Sequence, residues 1–218
     1  QRQMCIRDSN TTNTITDSSR LSTEEDYSAA IYSKEDLIIN GNGTLNVNAG
    51  YRNGIKSTDD CIIVSGTLNI TSTEDGIIGK DLCGVVAGDI NINAGSDGIK
   101  STYDTDTTKG NVIIEGGNIT IKASNDGIQA ENILVINDGT INIKTNNGAA
   151  DTTQTHTDNM YMGRGGFGFN NNKTTTTTDD TVESRKGIKA GNMLIINDGD
   201  ITIDSDDAVS YTHLRAHE

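Results

Sequence analysis

The sequence predicts an all-β fold, a right-handed parallel β-helix with three short strands in each coil of about 22 residues. Three observations lead there. A glycine followed by isoleucine recurs at Gly54, Gly76, Gly98, Gly127 and Gly187, and the gaps reduce to about 22 residues once two insertions are set aside. Each repeat carries three short apolar runs in which inward and outward positions alternate. The chain holds two Phe, six Tyr, no Trp and no Pro beside 24 Gly. That is too little bulk for a wide core, but it suits a narrow one made of stacked identical layers.

The layers agree position by position. Ile55, Ile77, Ile99, Ile128 and Ile188 each follow the motif glycine. The second run contributes Cys61, Cys83, Val112, Leu134 and Leu194. The third gives the pairs Leu68/Ile70, Ile90/Ile92, Ile119/Ile121, Ile141/Ile143 and Ile201/Ile203. An earlier layer has Ala30 in the glycine place, with Ile31, Leu37 and Leu45/Val47. Alternation by two fixes these columns as inward, and no coil buries its inner face alone, so stacking supplies the core. A leucine-rich repeat has a similar length, but its Leu/Asn consensus and helical segment are missing. Right-handedness follows from the general chirality of parallel crossovers.

Residues 1–9 and 209–218 are expected to lie outside the protein proper. The codons for QRQMCIRDS match a transposon-type sequencing adapter, and the reverse complement of that DNA reads VSYTH, the stretch at 209–213. On this reading both natural ends are missing, and residues 10–29 are a disordered or partial first coil. The β-helix domain then runs over 30–208. Its insertions are YDTDTTK at 103–109 and a low-complexity loop at 151–184. Tyr161, Phe167 and Phe169 in that loop are candidates for stacking on a sugar ring; His156 has no partner cluster. Cys61 and Cys83 occupy one column on adjacent coils and are expected as a free, buried thiol pair rather than a disulfide.

A formal net charge of −14 argues against nucleic acid or an anionic membrane as partner. Much of the acid is ordered. Asp75, Asp97 and Asp126 precede successive motif glycines, hence stand about 4.8 Å apart. Like charges at that spacing repel by about 3.5 kcal/mol per pair at an effective dielectric near 20. A local turn role for Asp-Gly, with Gly at positive φ, is the plain account of any one copy. The column asks for more, and Ca²⁺ is the natural counter-ion for such oxygens, with Asn53, Glu74, Ser96 and Asn125 as further ligands. A second column five residues after each glycine holds Asp59, Asp81, Asn132 and Asn192, with Glu35 in the early layer. It is either Asx stacking at a corner or a separate metal site. Lys56, Lys100, Gln129 and Lys189, two residues after each glycine, form an outward stripe that either softens the acidic field or meets a carboxylated polymer.

The motifs NGIKSTDD, EDGIIG, SDGIKS, NDGIQA and RKGIKA, followed by INDGDITIDSDDA, resemble the clostridial carbohydrate-binding β-helix family that binds cellulose and pectic acid. The resemblance spans roughly 30–208. It implies a secreted or cell-surface right-handed β-helix similar to pectate lyases, with bound calcium and affinity for acidic plant polysaccharide (pectate) and cellulose. It also implies that Asp206 and Asp207 open a further coil. Arg185–Lys186 and Asn53 depart from the acidic pattern at their layers. A monomeric, noncatalytic calcium-dependent binding module is the leading expectation. A polysaccharide lyase is the alternative, although only Arg52 and Arg185 adjoin the motif corner as candidate bases. A structural stalk or adhesin is the third reading. No strand carries the paired carboxylates that a hydrolase requires.

Overall fold

The structure, a computed structural model, describes residues 4–8, 10–18, 28–146 and 184–212. Within them the chain winds into three seven-stranded parallel sheets, with every third strand returning to the same sheet. This is a right-handed parallel β-helix. Sheet A contains, among others, Leu37–Gly41, Asp60–Ile63, Leu82–Val85, Asn111–Ile114, Ile133–Ile136 and Met193–Ile196. Sheet B includes the six-residue strands Thr67–Ser72, Asp89–Ala94, Asn118–Ala123 and Thr140–Thr145. Sheet C is built from shorter pieces such as Asn53–Ser57, Ile77–Gly79, Ile99–Lys100 and Ile128–Ala130.

Register follows the sequence columns. Cys83 pairs with Cys61 and Val112, Ile90 with Leu68 and Ile119, and Ile99 with Ile77 and Ile128. These residues form one continuous buried cluster along the rod. Cys61 and Cys83 are free and buried, and burial drives both thiols up, Cys83 to about 12, so neither is a nucleophile.

The motif glycines serve a purpose other than positive φ. Left-handed φ recurs instead at the turn between sheets A and B, as at Gly88 (φ 115) and Gly117 (φ 103), and once at Gly110 (φ 74) before Asn111–Ile114. At Gly98 a Cβ would lie 2.5 Å from the Gly127 carbonyl oxygen and 2.4 Å from Ile121 Cγ2. Gly54, Gly76, Gly127 and Gly187 meet the same two obstacles, a backbone carbonyl and an isoleucine methyl, at 2.3–2.7 Å. The motif needs glycine because the next coil occupies the space.

Met4–Asp8 pairs with Leu37–Gly41 and Ser210–Thr212 with Ile188–Ala190, although both lie in stretches matched to adapter sequence. An open parallel edge pairs with any extended neighbour through backbone groups alone. Thr12–Asp17 lies beside Thr44–Ala49 in sheet B. His156, Tyr161, Phe167 and Phe169 lie outside the described residues.

Candidate carbohydrate and cation sites

The first aspartate column is a hydrogen-bonded ladder between coils. Asn53 Oδ1 accepts from Asp75 N–H at 3.1 Å, Asp75 Oδ1 from Asp97 N–H at 3.0 Å, Asp97 Oδ1 from Asp126 N–H at 2.9 Å, and Asp126 Oδ1 from Lys186 N–H at 2.8 Å. Each side chain thus caps the backbone one layer on, rather than its own turn. Charge-assisted bonds of this kind are the stronger sort, and they offset part of the repulsion along the column.

The lysine stripe offsets more of it. Lys100 Nζ meets Asp97 Oδ2 at 2.6 Å and Lys189 Nζ meets Asp126 Oδ2 at 3.3 Å. Asp97 and Asp126 are buried at 4% and 1% exposure. Burial raises the Asp97 carboxyl, and Lys100 works against that rise. Burial pulls Lys100 down, but Asp97 and Asp75 outweigh it and its net shift is upward. Lys56 bonds the Ser28 hydroxyl at 3.1 Å, and burial lowers its pKa. Gln129, itself buried, donates to Glu131 at 2.8 Å. So the two predicted groups meet at two points, Lys100 with Asp97 and Lys189 with Asp126, while Lys56 and Gln129 bond elsewhere. Glu74 turns to Arg52 at 3.8 Å, and Asn125 donates to Ser96 Oγ at 3.2 Å. Where Arg185 and Lys186 replace the acid, Asp206 and Asp207 answer them at 2.8 and 2.7 Å.

The second column behaves differently. Asp36, Asp59 and Asp60 can bring carboxylate oxygens within 4.8 Å of one another. Asp81 joins from the next coil through a carboxyl–carboxyl hydrogen bond to Asp59. That bond, then burial, then the charges of Asp36, Asp81 and Asp60 push the Asp59 carboxyl up to about 6. Burial, then Asp36 and Asp81, also raises Asp60. The donor set is all oxygen, half-exposed, and draws on three successive coils, which suits a hard divalent cation. In the first column Lys100 pairs with Asp97 Oδ2, while Asp126 Oδ2 lies buried 3.3 Å from Lys189 Nζ with no hydrogen-bond partner among the described residues. Asn132, further along the second column, is an Asx corner: its amide donates to Asn111 Oδ1 at 3.0 Å and its oxygen accepts from Asn192 at 2.7 Å.

Sequence columns did not reveal Asp36 and Asp60, because each lies one residue beyond the column position, where the corner turns into sheet A. The 103–109 insertion also folds back onto this corner. Lys109 Nζ pairs with Asp81 Oδ2, and its pKa is raised, first by that hydrogen bond. Lys80 and Lys109 flank the Tyr103 ring at 4.9 and 5.0 Å from its centroid. Four carboxylates, two ammoniums and one aromatic ring therefore meet at a single corner.

Comparisons with known proteins agree with this architecture. The solved structure of the polysaccharide lyase-like protein from C. thermocellum, a gadolinium derivative, matches with a TM-score of 0.60 at 31% identity. The match covers 65% of this chain and 60% of that one. A carbohydrate-binding domain-containing protein of Acetivibrio thermocellus is 45% identical over 42 residues, 19% of this chain. That segment is 15% of the relative's own length. A family model described as carbohydrate-binding domain-containing protein matches residues 2–214. With the match running over nearly its whole length, the chain belongs to the carbohydrate-binding domain-containing family.

Proposed function

We propose that this chain is a noncatalytic module, secreted or displayed at the cell surface, that holds acidic plant polysaccharide through calcium. One observation carries the reading: carboxylate oxygens of Asp36, Asp59 and Asp60 lie within 4.8 Å of one another, and Asp81 together with these neighbours pushes the Asp59 carboxyl up to about 6. Such a cluster gains most when a divalent cation replaces the shared proton. Asp36, Asp59 and Asp60 would hold the ion, with Asp81 beside them paired to Lys109. When bound, calcium supplies a positive centre that a uronate carboxylate can share. Lys80 and Lys109 add charge beside it, and Tyr103 offers a ring face to a sugar. Family membership supports a carbohydrate partner; polygalacturonate is the expected polymer and cellulose the second, bound by a monomer.

A lyase is the second reading, favoured by the name of that relative. Elimination needs a neutral base beside the metal. The two candidate bases are both ion-paired, Arg52 with Glu74 at 3.8 Å and Arg185 with Asp206 at 2.8 Å, which favours binding over chemistry. The experiment is to incubate chelator-treated protein with polygalacturonate, with and without Ca²⁺, following polymer retention and the ultraviolet absorbance of unsaturated uronate. Calcium-dependent retention without absorbance, lost in Asp59→Asn/Asp60→Asn, is expected. Growing absorbance selects the lyase, and neither signal selects a structural stalk.

A further inference from the structure

Sheet A is apolar on both faces. Its inner residues fill the core, yet Ile38, Ile62, Gly84, Ile113, Val135 and Ile195 stand in register on the outer face. On one side Leu82, Ile133 and Met193 add apolar surface, with Asn111 between Leu82 and Ile133 in the same column, and Met193 is 51% exposed. Strands that read as unbroken apolar runs belong to parallel sheets covered on both sides. All the described strands are used up in the three sheets, and none packs over this one. In a chain with only 33% hydrophobic residues and a net charge of −14, an outward apolar column calls for an occupant.

The borders of the strip indicate its chemistry. Along one edge runs an amide ladder, in which Asn197 donates to Asn137 at 2.7 Å and Asn137 to Glu115 at 2.8 Å. The other edge begins in the carboxylate cluster, for Asp60 belongs to a sheet A strand and pairs with Leu82. A pyranose ring is apolar on its C–H faces and hydroxylated at its rim, so a glycan chain matches an apolar strip with polar margins. The column spans five strand spacings, roughly 24 Å, room for several sugars. Gly84 carries no side chain at mid-strip, and a Cβ there would make ordinary van der Waals contact with Ile62, nearest at Cγ1, 3.6 Å.

The geometry points to the outer face of sheet A as the track for a carboxylated pyranose polymer, its rings lying along Ile62, Gly84, Ile113 and Val135. One of its carboxylates reaches the corner of Asp36, Asp59, Asp60 and Asp81. This rests on the calcium reading above and extends it from an anchoring point to a binding surface.

The test uses two variants of the full chain. Ile113→Thr/Val135→Thr keeps β-branched residues while removing apolar contact. Gly84→Gln places a polar side chain at mid-strip, where an added Cβ makes only ordinary van der Waals contact. Calcium uptake and polygalacturonate affinity are measured separately by calorimetry, and mass by sedimentation. Both variants should take up calcium as the parent does and bind polymer about tenfold more weakly or worse. Parent-like polymer binding in both overturns the track. So does a parent dimer that the variants turn into monomer with polymer binding unchanged, which makes the face an interface between copies. If the parent takes up no calcium, the metal reading fails by itself. The track is then decided by retention in chelator: weaker in the variants upholds it, equal overturns it.

Discussion

Asp97 gives one carboxylate oxygen to the Asp126 N–H and the other to the Lys100 ammonium. Asp97→Ala therefore leaves a buried donor and a half-buried cation without partners, at a cost of about 3 kcal/mol. Asp97→Asn keeps the first acceptor and should cost less than half of that. Urea unfolding of the two variants without added metal measures the difference, and equal midpoints would reject the ladder. Asp59 makes a different forecast. Its carboxyl lies at about 6 in the folded chain against 3.8 ordinarily, so the folded state binds that proton more tightly than the unfolded one. Its contribution is thus present at low pH and lost as pH rises from 3.8 to about 6, as linkage requires. Asp60 and Asp97 are raised as well and act with the same sign. In chelator, Asp59→Asn should flatten the fall in melting temperature across that window. An unchanged pH profile would count against the cluster. The partners of Asp97 and Asp59 were not legible in the sequence. Spacing places residues in a column but leaves open whether an oxygen faces a neighbour's N–H, a lysine or an open corner.

At the scale of strands and turns the sequence was more explicit. The inward columns led by Ile55, Cys61 and Leu68 appear as predicted, because alternation by two and a buried face leave a strand no choice of register. The glycines were legible as positions but not as reasons. A turn glycine and a glycine crowded by the next coil look alike in one dimension; only the stacked coils reveal the Gly127 carbonyl above Gly98. The reason decides the mutation. Where positive φ is required, as at Gly88, alanine strains its own turn. At Gly98 it pushes against the backbone of a neighbouring coil, costing about 3 kcal/mol or more. Gly84→Ala, facing ordinary van der Waals contact, should change stability by under about 0.5 kcal/mol. Thermal melts of the pair check this contrast, and comparable losses would contradict the close-packing account.

A rod of stacked coils behaves as a one-dimensional array, in which a ligand stabilises the layers it ties together and those beside them. This lets hydrogen exchange tell the two aspartate columns apart, because they tie different strands. The second column joins the corners leading into Leu37–Gly41, Asp60–Ile63 and Leu82–Val85. The first joins Asn53–Ser57, Ile77–Gly79, Ile99–Lys100 and Ile128–Ala130. Calcium at a hundredfold excess over its Kd contributes about 2.7 kcal/mol to the state that binds it, which slows local opening about a hundredfold. Exchange in chelator and in calcium should therefore differ most in the three sheet A strands. Protection should decay along the rod and leave Asp200–Asp204 unchanged, since that strand lies three coils beyond Asp81. Added protection centred on Ile99–Lys100 and Ile128–Ala130 would move the ion to the first column and require Lys100 and Lys189 to swing away. A uniform increase along the whole rod would indicate cation screening of a strongly acidic chain, with no single site. The sheet A pattern is the one expected, because at that corner the clustered carboxylates outnumber the ammoniums that could neutralise them.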